Sequence, residues 1–210
     1  MKRLKIDRPE KLAIINQFLK LNQNSAKVAK NDSFGTENDL QKRAKAFEKG
    51  REVKLPEAPS TVPDDMVSVI LEHYFSVPEH ELEDAKQKHL LSMGAENIIG
   101  DLLERYLAQQ LEQHGWAWCS GSIAKSIDFI RPPEDNGNWV ILQVKNRDNS
   151  ENSSSAGIRG GTQIEKWFRT FSRTGKTNWD QFPDKAVREH ISERGFKKFV
   201  EKYLKSNLTK

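Results

Sequence analysis

The stretch SIDFIRPPEDNGNWVILQVKNRDNSENSSS, residues 126–155, decides how the fold is read. Two runs of β-branched and aromatic residues, Ile127–Ile130 and Trp139–Lys145, flank the segment Pro-Pro-Glu-Asp-Asn-Gly. Asp-Asn-Gly-Asn between such runs is a hairpin signal, so the two are expected as antiparallel neighbours. Alternation with period two sends Val140, Leu142 and Val144 to one face and Ile141, Gln143 and Lys145 to the other. Antiparallel pairing can then bring Asp128 opposite Gln143 and Lys145. The next residue, Asn146, opens a dense polar run.

Upstream of the hairpin, MGAENIIGDLLERYLAQQLEQHGW carries Ile99, Leu102, Leu103, Tyr106, Leu107 and Leu111 on one stripe, and Gly115 is placed to end that helix. WAWCSGS after it reads as a first strand. Residues 4–30 read as a helix with Pro9 at a first turn, and 37–50 as a charged helix ended by Gly50. KLPEAPSTVPD, residues 54–64, has three prolines and reads as a loop. Helices are expected from Asp64–Asp65 to Phe75 and over 79–92. Downstream, 162–172 and 184–205 read as helices, with Trp167, Phe168 and Phe171 as core anchors. The expected domain is mixed α/β, with a helical region over 1–60 and the main domain over 61–210.

Charge is uneven. The 210 residues hold 34 Lys and Arg against 30 Asp and Glu, yet from Lys145 onward the ratio is 15 to 8. A basic C-terminal third fits a polyanion such as nucleic acid, and it also fits a solvated helical surface rich in lysine. No apolar run reaches 18 residues, which excludes a membrane-spanning helix, and the charged start is unlike a signal peptide. The single Cys119 rules out an internal disulfide and a thiolate zinc site, and fits a reducing cytoplasm. The five histidines are scattered and form no HxH or HExxH pattern.

Asp128, Gln143 and Lys145 together would offer a carboxylate, an amide oxygen and an ammonium group in one pocket. A carboxylate and a neutral oxygen suit a hard cation such as Mg²⁺, which also meets phosphate. A lysine beside them can orient or deprotonate an attacking water and stabilise developing negative charge. That combination suits phosphodiester hydrolysis. The same spacing also occurs in strands whose terminal lysine only reaches for water.

A helix with Gly100-x-x-x-Glu104 ending in Gly115-Trp116, then a strand with Asp128, then a strand with Gln143-x-Lys145, resembles the PD-(D/E)XK fold of type II restriction endonucleases. Over 96–169, and above all in KNRDNSENSSSAGIRGGTQIEKWFR, it is similar to the SinI-like group. The resemblance implies a restriction-endonuclease-like α/β core and Mg²⁺-dependent cleavage of double-stranded DNA at a GC-rich, near-palindromic site of the GGWCC kind. It also implies a homodimer, each copy cutting one strand. Two departures stand out. Ile127 replaces the nominal proline before Asp128, and Gln143 replaces the second acid. An uncharged ligand there makes a helix acid more important, with Glu104 first and Glu96 second.

The DNA-recognition segment is expected at about 146–180. Arg pairs with guanine, Asn with adenine, and Glu accepts from cytosine, while Ser suits phosphate. Arg147 and Arg159 are the guanine candidates, with Asn149, Glu151 and Asn152 beside them. Asn146, Ser153, Ser154 and Thr162 fill out the polar run, and Arg169, Arg173 and Lys176 are phosphate candidates. A structure-selective nuclease of the same fold and a non-catalytic DNA-binding regulator are the competing readings.

Overall fold

The computed structural model describes residues 7–134, 137–149 and 163–208. They form two compact units: residues 54–101, and the rest of the chain on either side.

The larger unit is built on a four-stranded sheet in the order β1-β2-β3-β4, comprising Ala117–Trp118, Phe129–Arg131, Val140–Arg147 and Ile164–Thr170. The hairpin has the expected sense. β2 pairs antiparallel with β3 in the register Phe129↔Leu142, Ile130↔Ile141 and Arg131↔Val140. β1 pairs antiparallel with β2, whereas β3 and β4 run parallel.

Helices α1 (Pro9–Leu21) and α2 (Glu37–Arg51) supply a core of Leu12, Ile15, Phe18, Leu19 and Phe47. These pack with Ala117, Cys119 and Ile130 from one face of the sheet, which Ile141 and Ile164 extend. Val144 and Trp167 lie on the opposite face, by the parity of the strands. There the Trp167 ring meets Trp179, which meets Tyr106 of the long helix α4 (Leu82–Leu111) and Phe196 of α6 (Glu193–Asn207). A four-residue helix, α5 (Lys185–Arg188), precedes α6. Its N-cap Asp184 also accepts from the Trp116 indole at 2.8 Å, tying β1's approach to the C-terminal helices.

Several expectations change. Residues 164–170 form a strand, not a helix. Ile, Trp and Phe suit a pleated surface, and β3 offers a parallel edge that local pattern cannot reveal. Trp167 is core, but Phe168 is half-buried and Phe171, past the strand end, is 38% exposed. The first helix stops at Leu21, and residues 22–30 continue as a 3-10 turn and loop, with Ala26 bridged to Ala124. Gly50 does not end α2. It lies inside the helix because a side chain there would sit 2.1 Å from the Gly121 backbone nitrogen, so helix and turn touch backbone to backbone. The helices expected over 79–92 and up to Gly115 are a single element, α4. Over 184–205, Ser192 caps α6 separately from α5.

In the smaller unit, α3 (Asp65–His73) starts at Asp64, whose carboxylate accepts from the Met66 amide at 2.8 Å. Residues 82–101 of α4 belong to this unit. A side chain at Gly94 would lie 2.6 Å from the Glu57 carbonyl, so the proline-containing segment lies directly on the helix. No helix of the described residues is long and apolar enough to cross a membrane.

Candidate active site

The ladder between β2 and β3 ends at Phe129, one residue after Asp128. The Asp128 amide still donates to the Leu142 carbonyl at 2.9 Å, keeping the residue in register opposite Gln143. Its carboxylate then satisfies the next β3 amide on that edge, accepting from Val144 at 2.7 Å. Val144 lies between Gln143 and Lys145, so this bond fixes the acid beside both. The three residues separated by 14 and one in sequence therefore come together as expected.

Burial pushes the Asp128 carboxyl up to about 6, against the opposing pull of the Val144 N–H and the Lys145 ammonium. The site is short of positive charge for its acid. Gln143 is 2% exposed, and its side-chain oxygen is buried without a hydrogen-bond partner. Buried amide oxygens normally find a donor, so an orphan beside a carboxylate asks for an explanation such as a bound cation. Lys145 is half-buried on the same strand face, opposite Phe168 of β4.

Glu104 accepts from the Trp118 indole at 2.9 Å. Cys119, next to Trp118, donates its amide to the Asp128 carbonyl at 2.8 Å. The Cys119 thiol is pushed well up by burial first, then by the negative charges of Asp128 and Glu104, which places both acids close to it. Glu104 therefore belongs to the same neighbourhood as Asp128. Glu96 is exposed and lies in the smaller unit. Among the described residues no three His, Cys, Asp or Glu side chains cluster as a metal site. A cation that keeps several waters and meets phosphate needs only one or two carboxylates, so the donor set of Asp128, Gln143 and Glu104 fits Mg²⁺.

Two neighbours were not anticipated from the sequence. Trp118 orients Glu104, and its own ring lies between the guanidinium groups of Arg51 (5.1 Å) and Arg105 (5.4 Å). Lys166 pairs in register with Gln143 across the parallel ladder and so lies on the same face. It was invisible while 162–172 read as a helix.

Beyond the site, Arg147 ends β3 and Asn149 follows it, both exposed. Arg173 and Lys176 are exposed on the turn after β4, where Asp148 accepts from the Ser172 amide at 2.8 Å. That contact holds the Asp148 carboxyl below its ordinary value. Arg169 and Asn146 are instead bonded to each other at 2.9 Å, and Arg169 also pairs with Glu193. Glu151, Asn152, Ser153, Ser154, Arg159 and Thr162 lie outside the described residues.

A strand-borne Asp, Gln and Lys with a helix Glu is the setting of a nuclease, and the chain belongs to the SinI restriction endonuclease family, whose profile matches residues 5–206. Among its relatives, the type II restriction enzyme Eco47I of Escherichia coli is 50% identical over 173 residues, covering 82% of this chain and 75% of Eco47I. The type II restriction enzyme SinI of Salmonella infantis is 46% identical over 202 residues, covering 93% of this chain and 87% of SinI.

Proposed function

We propose that this protein is a type II restriction endonuclease of the PD-(D/E)XK kind, which hydrolyses double-stranded DNA with Mg²⁺ at a short, GC-rich, near-palindromic site of the GGWCC type. The observation that carries this reading is the Asp128 carboxylate bonded to the backbone between Gln143 and Lys145, beside an orphaned Gln143 oxygen. Asp128, Gln143 and Glu104 would hold the cation, with Glu96 as the alternative helix acid. Once bound, it supplies a water of lowered pKa and a polarised phosphoryl oxygen.

The protein's own residues do the rest. The Val144 N–H fixes Asp128 so that its charge is aimed before substrate arrives. Lys145 orients the attacking water, takes up or passes on its proton, and stabilises charge on the phosphoryl oxygens. Trp118 holds Glu104 in place. Arg147 and Asn149, with Glu151, Asn152, Ser153, Ser154, Arg159 and Thr162, form the reading surface, and Arg173 and Lys176 meet phosphate. Asn146 and Arg169 brace the strand ends beneath. A two-fold dimer would present two such centres to the two strands.

The test is digestion of phage-length DNA by the pure protein with Mg²⁺ or with EDTA. Discrete fragments that need the metal are expected, and sequencing their ends gives the site. A smear would favour a structure-selective or nonspecific nuclease, and intact DNA retarded with or without metal would favour a non-catalytic binder.

A further inference from the structure

Among the described residues, ten of the fifteen large hydrophobic side chains that are exposed fall in residues 54–101, so the surplus apolar surface is concentrated in the smaller unit. Its centre is α3, of sequence DMVSVILEH, which contains no buried residue. Val67 and Leu71 point toward Ala85, His89 and Met93 of α4 across an apolar cavity of ≈ 430 Å³. Met66 (58% exposed), Val69 (45%), Ile70 (53%) and Tyr74 (80%) recur at helical spacing, and Phe75 (63%) follows them. A helix apolar on the side away from its own core has a second partner.

We infer that this face of α3 is a two-fold interface with a second copy of the same chain. The inference rests on the nuclease reading only for its purpose, that two strands need two centres. The surface argument is independent.

Tyr74 and Phe75 together expose roughly 300 Å², taking a full aromatic side chain as about 150–250 Å². With Met66, Val69, Ile70 and neighbouring Val62, the patch is on the order of 600 Å² per copy. That is at the upper end of what ordinary monomers expose, and doubled it reaches the lower bound of about 1,200 Å² for a stable pair. The face is also self-complementary. From Met66 to Leu71 no residue is charged, so a mate helix meets no buried charge. A two-fold axis through Ile70 runs the helices antiparallel, sets Ile70 against itself and Met66 against the mate's Tyr74, and brings each acidic N-terminus, Asp64–Asp65, toward the other's C-terminus. That arrangement favours both macrodipoles.

The test is sedimentation of the full chain, without DNA or metal, for wild type, Ile70→Glu and Ile70→Cys. Wild type is expected at twice the chain mass. Ile70→Glu, which places two like charges at the axis on an exposed position, is expected to raise the dissociation constant at least a hundredfold with an unchanged circular dichroism spectrum. Ile70→Cys is expected to give a disulfide-linked dimer on mild oxidation. Cys119 is buried and serves as the internal control. A monomeric wild type, or an Ile70→Glu protein that stays dimeric while Ile70→Cys fails to cross-link, overturns the interface. If the variants behave as expected but wild type never cuts DNA, the nuclease reading falls and the interface stands.

Discussion

Replacing Asp128 with Asn should stabilise the metal-free protein, and the size of the gain follows from the site. The acid's folded value of about 6 lies above its ordinary 3.8, so the ionised form is disfavoured by folding. Below about pH 4 the group is protonated in both states and has no effect. As pH rises through 6 the folded protein loses stability relative to an uncharged residue, and above that the deficit is constant. A shift of about two units corresponds to ~3 kcal/mol at 1.36 kcal/mol per unit. Partial solvent access to the carboxylate makes this an upper bound. Asn keeps an oxygen for the Val144 amide, so the exchange removes the charge and little else. Urea unfolding in EDTA should show Asp128→Asn more stable at pH 8 by up to ~3 kcal/mol, with a melting point higher by roughly 5–10 °C, and equal to wild type at pH 4. Adding Mg²⁺ should raise the stability of wild type and leave the variant unmoved. A variant no more stable than wild type at pH 8, or stabilised equally at both pH values, would refute the charge-strained acid.

Gln143→Glu adds a second charged oxygen where the orphaned amide oxygen lies, and should lower the Mg²⁺ concentration for half-maximal cleavage; an unchanged or higher requirement would argue against a ligand there. Trp118→Phe removes the indole donor to Glu104 and should weaken metal affinity about 10–100-fold, as loss of an orienting partner does, measured by metal titration of activity and of thermal stability. Glu112→Ala breaks a buried network, since this acid accepts from Arg51 at 2.5 Å and from the Trp118 amide at 3.2 Å, and Arg8 lies 3.3 Å away. It should cost roughly 3–5 kcal/mol by stranding buried charge, and a loss under 1 kcal/mol would show the network to be incidental. Arg173→Ala and Lys176→Ala should each weaken DNA binding across sequences and reduce its salt dependence by about one unit of slope.

How much of this was legible in the sequence differs element by element. The hairpin announced itself, because Asp-Asn-Gly-Asn and the alternation of 139–145 are local signals, and they fix which face Gln143 and Lys145 share. The Asp128–Val144 bond was not legible, since it replaces a ladder bond only where β2 happens to stop. β4 was missed because a parallel strand is defined by a partner distant in sequence. Its Ile, Trp and Phe also fit a helical core stripe. With β4 went Lys166. Trp118 read as a core aromatic, and nothing local ties its indole to a carboxylate 14 residues earlier. Gly50 read as a helix stop because the same residue that ends helices also permits backbone contact, and only the position of Gly121 separates the two. The apolar turns of α3 read as a helix, but nothing in them showed which side would remain uncovered.

The most direct test of the central claim compares wild type with Lys145→Ala on DNA carrying the mapped site, reading single-turnover cleavage and gel retardation together. The account predicts that the variant binds the site as wild type does and loses cleavage by at least a hundredfold. Cleavage by Lys145→Ala at the wild-type rate would contradict it.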